Sequence, residues 1–111
     1  MKRAYEDSLE DMLDNAEKAL HFVNGMEYET FFRDEKTSYA VVRALEIIGE
    51  AARIVPDEVR TSLPELPWRE ISGMRNKLMH EYFGINSKVV WRTLQEDLPS
   101  IIPVLRKALK R

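Results

Sequence analysis

The chain has no cysteine among its 111 residues, so neither disulfides nor thiolate metal sites can contribute. No apolar run approaches the roughly eighteen residues of a membrane span. The opening stretch MKRAYEDSLEDML is too acidic for a signal peptide, so the expectation is a cytoplasmic protein without membrane association. Internal repeats and low-complexity tracts are missing, and no segment alternates in polarity as a half-buried strand does. Excess positive charge is absent too. A formal balance of −2 excludes general stickiness for phosphate. The length suits one domain, 1–111, large enough for a single core yet small enough to gain from burial against a partner.

What is present is helical punctuation. Tyr5, Leu9, Met12, Leu13, Ala16, Leu20 and Val23 recur at helical spacing, and Asn24-Gly25 ends that first helix. A second helix is predicted from a cap near Thr37-Ser38, with Val41, Val42, Leu45, Ile48, Ala52 and Val55 on its apolar face. Pro56 stops it or opens a short turn of helix, and Pro64 and Pro67 shape the loop to a third helix over about 67 to 83. Asn86 or Ser87 could cap a fourth, running through Trp91 and Leu94. Pro99 and Pro103 are expected to break or kink the last stretch, 97 to 110. The fold class expected is all-α, an antiparallel up-and-down bundle of four main helices with short helical pieces.

Charge is unevenly spread. Residues 1–68 hold 8 basic and 15 acidic groups, residues 69–92 hold 5 and 2, and residues 93–111 hold 4 and 2. Arg69, Arg75, Lys77, Lys88 and Arg92 therefore give the third-helix region a local positive bias. This fits either a phosphate footprint or an ordinary solvated face.

Within that region lies RNKLMHEY, residues 75–82. The apolar spacing Ile71, Met74, Leu78, Tyr82 puts it on the third helix. At about 100° per residue, Arg75 and Tyr82 fall nearly in line, whereas His80 is turned about 140° from Arg75. Asn76 and His80, four apart, share a face. Ser72 and Gly73, one turn before Asn76, carry little bulk, so another backbone or a ligand could approach closely there.

These residue types suit RNA cleavage by the 2′-hydroxyl, which needs a group near neutral pKa to move a proton and a cation to stabilise charge on the phosphate. His80 and Arg75 could fill those roles, with no metal or other cofactor required. The plain alternative is chance: an Arg and a His five apart are common, and Tyr82 taken alone reads as core. His21, on the first helix with no ligand set around it, reads as structural. Glu46 and Glu50 lack the following His of a bundle metal site and read as salt-bridged or polar-face residues; no metal site is expected.

The run RNKLMHEY resembles the Arg-x4-His-x-Tyr signature of HEPN ribonucleases, specifically the HepT toxins of HepT/MntA toxin-antitoxin systems. The resemblance extends over RALEIIGEAARIVP (43–56), LPWREISGMRNKLMHEYFGI (66–85) and VVWRTLQEDLPSIIPVL (89–105). It implies a HEPN helical bundle and a ribonuclease acting on RNA, with Arg75 and His80 as catalytic pair and Asn76 as polar helper. It also implies that Tyr82 is the AMPylation target of an MntA-like minimal nucleotidyltransferase antitoxin. The alternative class is a non-catalytic HEPN module that binds and assists such a nucleotidyltransferase; a pure scaffold would have no physical need for both Arg75 and His80.

The 140° divergence makes one copy awkward. Two copies meeting through their motif helices across a two-fold axis could line one cleft, so a homodimer is expected, with Trp68 and Phe83 as candidate apolar contacts. No base-reading module is recognisable, which leaves the RNA's sequence unspecified.

Overall fold

The computed structural model describes the backbone of residues 2–81 and 87–111 and the side chains of residues 5–74 and 87–111. Among the described residues every element is helical: α1 (Lys2–Phe22), α2 (Tyr28–Arg33), α3 (Glu35–Ile54), α4 (Asp57–Ser62), α5 (Trp68–Glu81), α6 (Ser87–Arg92), a π-helical turn (Thr93–Asp97) and α7 (Leu98–Ala108). The long helices α1, α3, α5 and α7 form the expected antiparallel bundle. Helix α3 is central and packs on both α1 and α5, and α7 closes against α1.

Helix α1 buries Leu9, Met12, Leu13, Ala16 and Ala19, and Val23 just past its end is buried too, the i, i+3, i+4 stripe expected of an amphipathic helix. It ends where Asn24-Gly25 said it would. Gly25 takes φ +81, a left-handed conformation that costs glycine little, and the Met26 amide donates back to the Val23 carbonyl.

The entry to α3 differs from expectation. Residues 28–33 form the separate short helix α2, and the cap of α3 is Asp34, whose carboxylate accepts from the Thr37 amide at 3.0 Å. Thr37 is thus three residues inside the helix, and buried Ser38 donates its hydroxyl to the Phe31 carbonyl at 3.2 Å. Asp34 is better placed because an N-cap must stand at extended backbone angles, here φ −94 and ψ 91, with its side chain aimed at the first-turn amides. Those bonds from Thr37 hold the Asp34 carboxyl below its ordinary pKa. Phe31, fully buried, pins α2 to the core.

The last helical stretch is not broken by its prolines. The Leu98 amide reaches five residues back to the Thr93 carbonyl, and this wider turn brings Pro99 in at the start of α7, where a missing N–H is tolerated. Pro103 lies inside α7 on its exposed side, where water can serve the carbonyl it leaves unpaired. Leu94, Leu98, Ile101 and Leu105 continue one buried stripe through the π-turn. Exposed Arg106 and Arg111 tie α7 to α1 through Glu17, Glu10 and Asp14, pairs of small energetic weight at such exposure. No helix of the described residues is long and apolar enough to cross a membrane.

Candidate active site on α5

Helix α5 carries most of the residues singled out by sequence, and its start is fixed by a clamp. Arg60 of α4 donates to the carbonyls of Ala52, Arg53 and Val55 at 3.0, 3.1 and 3.0 Å, placing a cation on the unsatisfied C-terminal end of α3. The same guanidinium lies 5.8 Å from the centre of the Trp68 ring. Trp68 in turn donates Nε1–H to the Leu63 carbonyl at 2.9 Å. The first turn of α5 is thereby bound to the end of α3. This corrects the expectation that Trp68 is free for a dimer contact: it is half-buried against the core, with both ring face and N–H engaged. Phe83 lies outside the described residues.

From that anchored start α5 continues helical through Glu81, so the backbones of Arg75, Asn76, Lys77 and His80 sit at fixed helical offsets. Their side chains, and Tyr82 altogether, lie outside the described residues. The described half of the helix has two distinct sides. Ile71 is buried and Met74 packs on the core, whereas Arg69, Glu70 and Gly73 are exposed. Ser72 Oγ is buried and has no hydrogen-bond partner among the described residues. Lys88 and Arg92 are exposed at the two ends of α6, so three of the five cations proposed for phosphate contact stand at the surface.

Helix α6, which resumes the chain after the motif, is held from α2. Tyr28 and Ser87 share a hydrogen bond of 2.8 Å between their hydroxyls, and the Trp91 ring packs against Tyr28 and Phe31, with centres 6.2 and 5.2 Å apart. Ser87 therefore shares its hydroxyl with a distant helix; Asn86, the other cap expected for α6, lies outside the described residues. Sequence reasoning missed this tie: the partners are 59 positions apart and neither belongs to a recognisable pattern. It also missed a groove of about 280 Å³ between α5 and the π-turn, floored by Ile71, Leu98 and Ile101 and flanked by Glu70 and Asp97.

Other sequence candidates resolve more simply. Glu46 pairs with Arg43 at 3.7 Å, as a polar-face residue should. His21 is exposed at the end of α1 beside Glu17 and Arg106, which makes it a surface residue rather than part of the core. Among the described residues no group of three or more His, Cys, Asp or Glu is arranged to hold a metal ion.

Comparison with known proteins gives this arrangement its context. The family described as "Ribonuclease HepT-like" matches residues 12–108. A Thermococcus cleftensis protein named "Probable ribonuclease HepT" is 46% identical over 101 residues, covering 91% of this chain and 92% of that protein. Two proteins named provisionally as RNases are also similar. One, from Methanocaldococcus jannaschii, is 39% identical over 98% of this chain and 90% of its own length. The other, from Caldanaerobacter subterraneus, is 40% identical over 93% and 92%. No solved structure matches. The chain belongs to the HepT-like ribonuclease family.

Proposed function

We propose that this protein is a metal-independent RNA endonuclease, the toxin of a toxin-antitoxin pair, with Arg75 and His80 as its catalytic groups. The observation that carries the reading is the unbroken helix from Trp68 to Glu81, which fixes Arg75 and His80 on one rigid element in a chain whose relatives are named as ribonucleases. In the reaction, the RNA 2′-hydroxyl loses its proton to a base and its oxygen attacks the adjacent phosphorus. The bond from phosphorus to the 5′-oxygen breaks, and that oxygen takes up a proton. An imidazole serves either proton transfer at neutral pH, and a guanidinium pairs with the charge that builds on the phosphate oxygens. Asn76 supports the pair, and Arg69, Lys77, Lys88 and Arg92 supply flanking positive charge.

Because 100° per residue sets Arg75 and His80 about 140° apart around α5, the competent unit is a homodimer in which two motif helices line a shared cleft. Silencing is by AMPylation. An MntA-like nucleotidyltransferase directs the Tyr82 phenol oxygen at the α-phosphorus of ATP, pyrophosphate leaves, and the attached AMP competes for Arg75 and fills the cleft. The test is cleavage by purified parent and His80→Ala proteins with EDTA present. The reading predicts cleavage by the parent alone; equal cleavage by His80→Ala, or loss of parent activity in EDTA, would overturn it.

A further inference from the structure

The aromatic contacts of α2 run outward from the core and end in the open. Phe31 is fully buried. The Trp91 ring lies 5.2 Å from it, Tyr28 meets Trp91 edge-on at 6.2 Å, and Phe32 stacks on Tyr28 with centres 5.9 Å and planes 29° apart. Phe32 is 56% exposed. Single exposed hydrophobic residues are common and mean little alone. This ring differs because its backing is fixed: the Tyr28 hydroxyl shares a hydrogen bond of 2.8 Å with Ser87, and its ring packs on Trp91. A planar group arriving on Phe32 meets a surface already ordered, with little further entropy to lose.

The charges beside it say which planar group fits. Trp91 brings α6 against α2, and Lys88 and Arg92, four apart and exposed, form one row on α6 next to Trp91. Helix α6 itself holds no carboxylate. The acidic groups of α2 are engaged or set away from the ring. Glu29, about 60° round the helix from Phe32, pairs with Arg33 at 3.9 Å. Asp34 is turned onto the Thr37 amide. Exposed Glu27 precedes Phe32 by five residues, about 7 Å back along the axis. Exposed Glu96, four residues beyond Arg92 in the π-turn, bounds the positive row at that end.

A nucleotide strand uses both features, a base covering the ring and the phosphates meeting the cations. An apolar side chain of a protein partner would use the ring alone. The place suits a substrate of the motif helix as well. Glu81 and Ser87 are six positions apart, so α6 begins no more than about 21 Å from the end of α5, whatever path joins them.

We propose that Phe32, backed by Tyr28, is a stacking platform for one base of a single RNA strand whose flanking phosphates meet Lys88 and Arg92. The inference rests on the RNA-cleaving reading above and deepens it: a base-holding subsite on α2 joins a set of residues that otherwise contact phosphate. A π-face accepts every base, so the platform sets where the strand lies without reading its sequence.

The experiment measures Kd for a short fluorescein-labelled single-stranded RNA carrying 2′-O-methyl groups, which removes the attacking hydroxyl and leaves the bases intact. The proteins are the parent, Phe32→Ala, Phe32→Leu and Phe32→Tyr, each with its melting curve and assembly mass. Phe32→Ala is expected to raise Kd roughly five- to a hundredfold, the range for loss of one base stack. Phe32→Leu keeps apolar bulk but no π-face and should lose nearly as much, whereas Phe32→Tyr should bind as the parent does. All three should keep the parent's salt slope, while Arg92→Ala should lower it by about 0.7. An abasic residue walked along the strand should weaken binding to the parent at one position, and at that position should cost Phe32→Ala nothing more. Every variant should stay folded at the binding temperature and keep the parent's mass.

Parental Kd in Phe32→Ala, equal abasic penalties in parent and Phe32→Ala, or no binding of the strand by the parent overturns the proposal. So does a fall in the mass of Phe32→Ala, which would assign the ring to a second copy of the chain. If the parent binds with this pattern but leaves unmodified RNA uncut, the cleavage reading fails and the platform stands. If parent and Phe32→Ala cut unmodified RNA with the same KM, the platform fails and the cleavage reading stands.

Discussion

Replacing Trp68 by Phe separates an anchoring role from a dimer or catalytic one. The indole donates to the Leu63 carbonyl at 2.9 Å, a bond worth about 1 kcal/mol net. The Arg60 guanidinium 5.8 Å from its ring centre adds roughly 0.5–1 kcal/mol, part of which the smaller ring keeps. Lost area on a half-buried ring contributes some tenths more, so the expected cost is about 1.5–2.5 kcal/mol. For a chain of 111 residues, each kcal/mol moves Tm by roughly 4 °C, giving a fall of roughly 6–10 °C. Circular dichroism melts measure it directly. Assembly mass and cleavage per folded molecule, read well below the lowered Tm, should match the parent. Loss of assembly or of cleavage with an unchanged Tm would refute the anchoring argument and return Trp68 to the interface or the site.

Three further outcomes follow from the same account. Tyr82→Phe keeps RNA cleavage but, unlike the parent, gains no AMP mass when incubated with the nucleotidyltransferase and ATP; a parent Tyr82 peptide of unchanged mass under neutralising conditions would exclude the modification. Mixing inactive Arg75→Ala and His80→Ala chains restores one intact site per heterodimer if each site draws its Arg and His from different copies; an active species of strictly monomeric mass would contradict the dimer. Asp34 has its folded pKa below the ordinary 3.8, so its stabilising effect is present above that ordinary value and is lost as pH falls through the lower folded one. The Tm gap between parent and Asp34→Ala should therefore shrink on acidification, and a gap independent of pH would remove the carboxylate as its cause.

The long helices were legible because their apolar residues recur with the helical period. That stripe is what buries Leu9, Met12, Leu13 and Ala16 in α1 and Val41, Leu45, Ile48 and Ala52 in α3. Helix α2 escaped because six residues are too few to show a period, and a Thr-Ser pair nearby resembled a cap more than the lone Asp34 did. The prolines of α7 misled because proline rules describe a regular α-helix, whereas the Thr93–Asp97 π-turn changes which carbonyls need a donor. Trp68 looked available because a sequence cannot show that Leu63 and Arg60 fold back onto it. For the site, the helical backbone of Arg75 to Glu81 was readable in the sequence. The Tyr28–Ser87 tie and the groove between α5 and the π-turn were not, since both arise only from packing of distant segments.

The central claim is that Arg75 and His80 drive attack by the RNA 2′-hydroxyl without a metal, and the ends of the cleaved RNA report on it most directly. Parent protein in EDTA should leave a 2′,3′-cyclic phosphate on one fragment and a 5′-hydroxyl on the other, should spare substrate lacking the 2′-hydroxyl, and should yield no product when either Arg75→Ala or His80→Ala is used. Fragments ending in 3′-hydroxyl and 5′-phosphate, formed only when EDTA is omitted, would contradict it.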